Sequence, residues 1–460
     1  MSIEAATAID RTGEADRHGS PAASMLRRGA CPALAAPMRT GDGLLVRLRP
    51  AGGALSLAQF EALARAAAMH GNGILEITAR GNLQIRGLRV ETAGPLGADI
   101  GAAGIAVPDG PAIEISPLHG IDPEETADPA ELERALRSTH SGLLASSRLA
   151  PKLSIVVDGG GAFGLSALSA DIRIVAQDHA HWLVAINGDG RTAMPIAIAT
   201  ADVAISAVGE VLSLLVALGQ GRRARDIDPA HLLARFPAMG GLRPAPALAA
   251  KKPLCGLHRL ADGRSLLGVR PEFGQMTASG LTALLDCAKV HGATAVRLAP
   301  GRGFFFLGLG AETGPAMQAA AAGLGFSAVA GENSEHIAAC AGAGACGSAF
   351  YETKPLARRL MAAAPILLDG SLTLHLSGCA KGCAHAGPAL TLTGRAGGYD
   401  LILNGLAADA PDERIAGGRI DFAIERLART VEDNKGAGES AAACLTRLGT
   451  TGVSKALRQE

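Results

Sequence analysis

Aromatic side chains are scarce in this chain of 460 residues: ten Phe, two Tyr and one Trp, 3% in all. Proteins that hold single-stranded nucleic acid stack its bases on such rings, so that class is disfavoured. An excess of either charge is missing too. Lys+Arg and Asp+Glu each total 43, so no global field draws the chain to nucleic acid or to an anionic membrane. An anionic ligand must then be met by local basic residues. No run of about 18 strongly apolar residues occurs; the longest candidate, Val203–Leu218, carries Glu210 and reads as a packed helix. The opening M-S-I-E-A-A-T-A-I-D-R-T has acids and no apolar centre, unlike a signal peptide. Together these absences predict a soluble, cytoplasmic protein. Eight cysteines are too few for a disulfide scaffold in a chain this long. Its length and 48% hydrophobic content allow two to four domains with sizeable cores.

Four of those cysteines form a pattern. Cys340 and Cys346 close C-A-G-A-G-A-C, and further on Cys379 and Cys383 close C-A-K-G-C. Two pairs spaced C-x5-C and C-x3-C suit a 4Fe–4S cluster, which needs four converging thiolates. The Ala and Gly between them let backbone approach closely and leave amides free to bond sulfide. Zinc is the rival ligand, but its knuckles are C-x2-4-C and the first pair is too wide. Cys31, Cys255, Cys287 and Cys444 read as free thiols in a reducing compartment.

The chain repeats itself. Leu44–Leu48 reads as a strand after a Gly41-Asp42-Gly43 turn, a helix opened by Ser56 spans Leu57–Met69, and strands follow at Ile74–Thr78 and Leu83–Leu88. At an offset of 221 Arg49-Pro50 meets Arg270-Pro271, His70-Gly71 meets His291-Gly292, and Gly87-Leu88 meets Gly308-Leu309, with a second helix near Ala278–Val290. A period of about half the chain means duplication, and the two αβ halves should pack as a pseudo-twofold pair. A second element, Lys152–Gly164, repeats as Ser371–Cys383 at an offset of 219, with Gly160 and Gly164 standing where Cys379 and Cys383 fall. Only the second half carries the cysteines.

Other features are weaker signals. Gly159-x-Gly161-x-x-Gly164 and Gly342-x-Gly344-x-x-Gly347 match a dinucleotide fingerprint, but the first is the cysteine-free copy of the cluster turn and the second contains Cys346. His119, His179, His181 and His375 read as core or surface residues; His385, two residues past Cys383, is the histidine expected near the cluster. Arg222–Arg225 reads as a solvated helix end.

The cysteine spacing, the duplication and the segment I-T-A-R-G-N-L-Q-I (Ile77–Ile85) resemble the nitrite/sulfite reductase superfamily over residues from about Arg28 to Thr430. That resemblance implies an α/β (α+β) fold, internally duplicated, with ferredoxin-like half-domains and cluster- and tetrapyrrole-binding αβ domains. The implied layout is a disordered tail (1–27), a first half-domain (28–110), a cysteine-free αβ domain (111–245), a second half-domain (246–330), an iron–sulfur αβ domain (331–435) and a flexible tail (436–460). It makes Cys340, Cys346, Cys379 and Cys383 the cluster ligands, the last nearest the tetrapyrrole. It gives Arg80 the role of binding tetrapyrrole carboxylates, with Asn82 and Gln84 on the same stretch. An Arg fork pairs well with a carboxylate. The reductases carry two substrate-facing lysines in P-R-K-F-K; here A-P-K-L-S keeps Lys152 and has Ser154 in place of the second, which weakens the case for reducing a small oxyanion.

R-G-A-C-P-A-L-A-A-P-M-R-T-G-D-G-L-L-V-R and S-G-C-A-K-G-C-A-H are similar to the precorrin-3B synthase branch, in aerobic cobalamin biosynthesis. In that branch the tetrapyrrole is the substrate. The resemblance implies that O2 hydroxylates precorrin-3A at carbon 20 and that a γ-lactone closes. It also implies a non-haem iron whose ligands the sequence does not name, and NADH as electron source through a separate reductase or ferredoxin. Lys152, and Arg302 from the second half, would help hold the substrate carboxylates. No nucleic acid, no membrane and a monomeric state are expected. Two alternatives stay open at this point: a sirohaem sulfite or nitrite reductase, and a non-catalytic tetrapyrrole- or cluster-binding protein.

Overall fold

A computed structural model describes residues 32–236, 252–260 and 263–458. The tail expected over 1–27, Cys31 and the boundary expected at 245–246 lie outside the described residues. The first unit runs β1 (Met38–Thr40), β2 (Gly43–Leu48), β3 (Ala54–Ser56), α1 (Leu57–His70), β4 (Ile74–Ile77), β5 (Leu83–Leu88) and α2 (Val90–Ala102). Ser56 starts α1 through a capping box: its hydroxyl accepts from the Gln59 amide at 3.1 Å, and the Gln59 side chain accepts from the Ser56 amide at 2.9 Å. Leu57, Phe60, Leu63, Ala64 and Ala67 then recur at helical spacing and are buried.

The next unit comprises β6 (Ala112–Ile115), α3 (Pro129–Thr139), α4 (Ser141–Leu144), β7 (Ser154–Asp158), β8 (Ala170–Ala176), β9 (His181–Gly188), β10 (Met194–Thr200), α5 (Ala201–Leu218) and α6 (Pro229–Arg235). Strands β6, β7 and β8 pair in parallel, while β9 and β10 return antiparallel. By length and composition α5 could cross a membrane. In this fold it carries Asp202 and Glu210 and buries Ala204, Ala207, Val208, Val211, Leu212 and Leu215, packing on β9 and β10. Strand β8, not a helix, follows Gly159–Gly164, which is not the arrangement of a dinucleotide fingerprint.

The whole order then recurs: β11 (Gly256–Arg259), β12 (Ser265–Pro271), β13 (Gln275–Thr277), α7 (Ala278–Val290), β14 (Ala295–Ala299), β15 (Gly303–Leu309), α8 (Gly314–Gly323) and β16 (Phe326–Ser327). After it come β17 (Ile337–Ala339), α9 (Thr353–Ala363), β18 (Leu374–Ser377), β19 (Ala389–Arg395), β20 (Gly398–Gly405), β21 (Glu413–Ala416), α10 (Ile420–Asn434) and α11 (Ala441–Arg458). The copies are tied by strand exchange. β13 pairs with β4 of the first copy (Thr277 opposite Ile74), and β3 pairs with β14 of the second (Ser56 opposite Ala295). These two registers are the same pair displaced by the repeat, so the relation is a pseudo-twofold. One hydrophobic core spans both sheets and helices α1 and α7, and Phe60 meets Phe304 across it edge-to-face at 5.3 Å.

The outer faces of the two exchanged sheets differ, and that difference positions the site. On the first sheet Arg47, Gln84, Glu76 and Gln275 stand opposite one another across β2, β5, β4 and β13. At the matching places on the second sheet stand Gly268, Phe305, Arg297 and Ala54. The polar face meets the cysteine loop of the second half, where Arg86 bonds Ala345. The other face meets the cysteine-free unit, where Phe305 packs on Phe163 and Arg297 bonds His119.

Two expectations are corrected. The flexible tail expected over 436–460 is ordered as far as it is described, to residue 458: α11 buries Ala441, Cys444, Leu445, Val453 and Leu457 in the core of the second αβ unit. Apolar residues at helical spacing outweigh the Gly-rich lead-in that marked it as loose. Nor is Arg222–Arg225 simply a solvated helix end. Arg223 makes a fork with buried Asp171, at 2.8 and 2.6 Å, because that carboxylate also caps the amides of Ser154 and Ala224 and needs a cation.

Candidate metal centre

Cys340 and Cys379 follow the C-terminal ends of two adjacent parallel strands, β17 and β18, the end of an αβ sheet where ligands gather. The two cysteine loops are bonded to each other. The Gly378 amide donates to Cys340 Sγ at 3.1 Å, the Phe350 amide donates to the Gly378 carbonyl at 2.8 Å, and Lys381 Nζ donates to Ser348 Oγ at 2.9 Å. Gly378 has no room for a side chain: a Cβ there would run into Ala349 and come within 3.4 Å of Cys340 Sγ. Gly342, Gly344 and Gly382 take φ of 76°, 84° and 61°, so glycine lets both loops curl.

Cys383 lies close enough to the other three cysteines to feel their charge. Burial pushes the Cys383 thiol up, and neighbouring Cys379, Cys340 and Cys346 push it further. Neighbouring thiolates repel one another unless a cationic group is bound, as metal ligation supplies. Cys383 is exposed while the other three are half-buried, which puts it on the rim. Among the described residues no three His, Cys, Asp or Glu side chains converge tightly enough to chelate one ion. A cubane asks less, since each thiolate binds a different iron. The donor set fits a 4Fe–4S cluster.

The surroundings of the loops come from both halves. Arg86 of β5 is 3% exposed. Its guanidinium forks onto Asp42 at 3.0 and 3.1 Å, reaches Glu76 at 3.1 Å and donates to the Ala345 carbonyl at 2.7 Å. Gly41 adds an amide to the same carbonyl at 3.1 Å. Lys354 lies 3.4 Å from Glu76. Arg302, with φ of 71° where the first copy has Gly81 at 79°, sends Nη2 to the Ala384 carbonyl at 2.8 Å, beside Cys383. His375 is wholly buried in β18 and lies 5.8 Å from His385, ring to ring and edge-on. Burial lowers its pKa to about 4, so the ring is neutral at ordinary pH.

The residues expected to hold substrate are not all together. Arg80 and Asn82 line a cleft with Arg49, Arg137, Glu114 and Glu133, and none of the four cysteines lines it. Arg80 is engaged there, with Nε and Nη2 on Glu114 at 2.8 and 2.9 Å and Nη1 on the Ser169 carbonyl at 2.8 Å. Gln84 is outside that cleft, buried on the sheet face that meets the cysteine loop; with its amide turned, the oxygen accepts from Arg47 and the nitrogen donates to Glu76. Lys152 is exposed on the turn before β7. In the cysteine-free copy Asp158 is wholly buried and accepts from the Gly160 and Leu165 amides, at 3.1 and 2.6 Å. Sequence reasoning missed Arg86, Glu76, Lys354 and His375; for the last, the repeat itself held a clue, since Val156 stands in its place.

Comparison with known proteins follows the same lines. Residues 36–103 match the nitrite/sulfite reductase ferredoxin-like half domain. The chain is similar in structure to the Mycobacterium tuberculosis NirA protein, with a TM-score of 0.69 and 19% identity over 89% of this chain and 84% of that one. In sequence it is 24% identical to sulfite reductase [ferredoxin] 2 of Mycolicibacterium paratuberculosis, over 86% of this chain and 80% of that protein. These define a duplicated protein of the nitrite/sulfite reductase fold. A precorrin-3B synthase from Sinorhizobium sp. is 45% identical over 98% of both chains. The chain belongs to the precorrin-3B synthase family.

Proposed function

We propose that this protein is an enzyme of aerobic cobalamin biosynthesis, an oxygen-dependent monooxygenase that converts precorrin-3A to precorrin-3B. The observation that carries the reading is that the two loops bearing the four cysteines are bonded to each other, in a chain so alike a precorrin-3B synthase from end to end. One atom of O2 is retained as the hydroxyl at carbon 20 and the other leaves as water. The two electrons required come from NADH by way of a separate reductase, and an acetate side chain closes the γ-lactone. The cluster, held by Cys340, Cys346, Cys379 and Cys383, supplies single-electron transfer.

The rest of the work falls to the chain's own groups. Arg80 and Lys152 hold substrate carboxylates, with Arg302 as a third cation and Asn82 lining the cleft beside Arg80. Arg80 changes partner in the process, releasing Glu114 for a substrate carboxylate of the same geometry. Gln84 keeps Arg47 and Glu76 in place on the sheet face toward the cysteine loop. Cys383, the exposed one of the four, would be the ligand nearest the macrocycle. No step is assigned to a non-haem iron. The same reading keeps the division of the chain into four units, with the cluster in 331–435, and a cytoplasmic location.

The test is turnover of precorrin-3A under 18O2 with a reductase and NADH. One labelled oxygen in the product and one in water support the reading. Sulfite or nitrite reduction without precorrin turnover would replace it with the reductase alternative.

A further inference from the structure

We propose that His375 is a positioning and tuning residue for the cluster, its imidazole N–H donating to a cluster sulfide or to a cysteinyl sulfur of the Cys379–Cys383 turn. This rests on the cluster assignment above. The ring is wholly buried, and neither Nδ1 nor Nε2 has a hydrogen-bond partner among the described residues. A neutral imidazole always carries one N–H and one bare nitrogen, and burying both unpaired forfeits their hydration without return.

The ring's place in the fold says what it faces. Leu374 and Leu376, on either side of it in β18, point into the core of the second αβ unit, so His375 points to the opposite face of the sheet. That face lies under the turn bearing Cys379 and Cys383. A Cβ placed on Gly382, between those two cysteines, would be 3.7 Å from His375 Cε1. His385 closes the far side edge-on.

The duplication supplies a control inside the molecule. The equivalent position in the cysteine-free copy is Val156, equally buried in β7, with its neighbours in the same parallel pairing. The strand therefore needs only an aliphatic side chain there. The half that carries the cysteines has an imidazole instead, and sulfur is the acceptor that distinguishes the two halves. Donors to cluster sulfur stabilise the more negative, reduced state and raise the potential.

The experiment is a redox titration of anaerobically purified wild type, His375→Val and His375→Gln, with iron and sulfide counted in each. Valine, the residue of the other copy, keeps the packing and removes the donor; glutamine restores an N–H. The expected result is full cluster content in all three, a midpoint shifted to lower potential in His375→Val, and an intermediate value in His375→Gln. Pulsed EPR of the reduced wild type, labelled with 15N-histidine, should show a weak nitrogen coupling that His375→Val loses. An unmoved midpoint, or equal shifts in both variants, overturns the proposal, as does the absence of any histidine coupling in the wild type. A wild type with no cluster at all overturns the functional reading as well, and the iron count tells that failure from the others.

Discussion

Replacing Arg86 by Leu should loosen the cluster loop from a residue that belongs to the other half of the molecule. The substitution strands two carboxylates, Asp42 and Glu76, whose side chains are 16% and 15% exposed, together with the Ala345 carbonyl. Removing one partner of a buried ion pair costs about 3–5 kcal/mol. Some of that is recovered here. Asp42 keeps Thr40 Oγ1 at 2.8 Å and Asn72 Nδ2 at 3.2 Å, Glu76 keeps Gln275 and Lys354, and Ala345 keeps the Gly41 amide. A loss near the lower end, about 3 kcal/mol, is therefore expected from denaturant titration. Arg86→Lys should fall between, since one ammonium cannot serve a fork and a carbonyl together. Iron release to a chelator should quicken in step, because Ala345 precedes Cys346. There is also a pH signature. Burial alone would raise the Asp42 pKa, but Arg86, with help from Thr40 and a backbone amide, holds the carboxyl below its usual value. That contribution is present above the unfolded-state pKa and disappears as pH falls through the folded value; Arg86→Leu should lack it. An Arg86→Leu protein within 1 kcal/mol of wild type (roughly a fivefold change in equilibrium), with unchanged iron release, would refute the reasoning.

Other outcomes follow from the same structure. Glu125 is pushed up to about 7 by burial, against the Gly120 amide and with Asp128, Asp122 and Asp158 adding to the rise. The folded state thus binds a proton that the unfolded state has released, so stability should fall as pH rises from about 4.5 to 7 and level off above; Glu125→Gln should flatten that slope in urea titrations across the window. Deleting α11 exposes the sites of Leu445, Val453 and Leu457 and should cost roughly 5 kcal/mol, seen as loss of soluble, cooperatively unfolding protein; an unchanged transition would contradict its place in the core. Arg80→Ala should weaken precorrin binding while iron content stays at the wild-type level, and should also destabilise by leaving Glu114 unpaired. Adding Glu114→Gln should restore stability without restoring binding, by calorimetry and ligand titration.

The duplication was legible because Arg-Pro, His-Gly and Gly-Leu pairs recur at one offset, and α1 because Ser56 and Gln59 write a capping box ahead of an apolar stripe. Strand exchange was not. β3 and β13 have three residues each, too short for alternation to register, and which copy they join is a tertiary choice. The cysteines were readable from spacing, whereas Arg86 and Glu76 belong to no motif, and a charged residue in a strand gives no local sign of a site. Only the loop of the other half, arriving from far along the chain, makes them buried. Arg80 carried a motif, but its bond to Glu114 depends on how two units pack. His375 had no local signal at all; a lone histidine in a strand is ambiguous until its unpartnered nitrogens and the valine of the other copy are seen together.

The measurement that tests the central claim most directly is the absorption spectrum of the anaerobically purified protein, with iron and acid-labile sulfide counted alongside. A broad shoulder that bleaches on reduction, with about four irons and four sulfides per chain and no tetrapyrrole bands, is the predicted result. Intense Soret and visible bands from a resident sirohaem would contradict it and make the tetrapyrrole a cofactor, not the substrate.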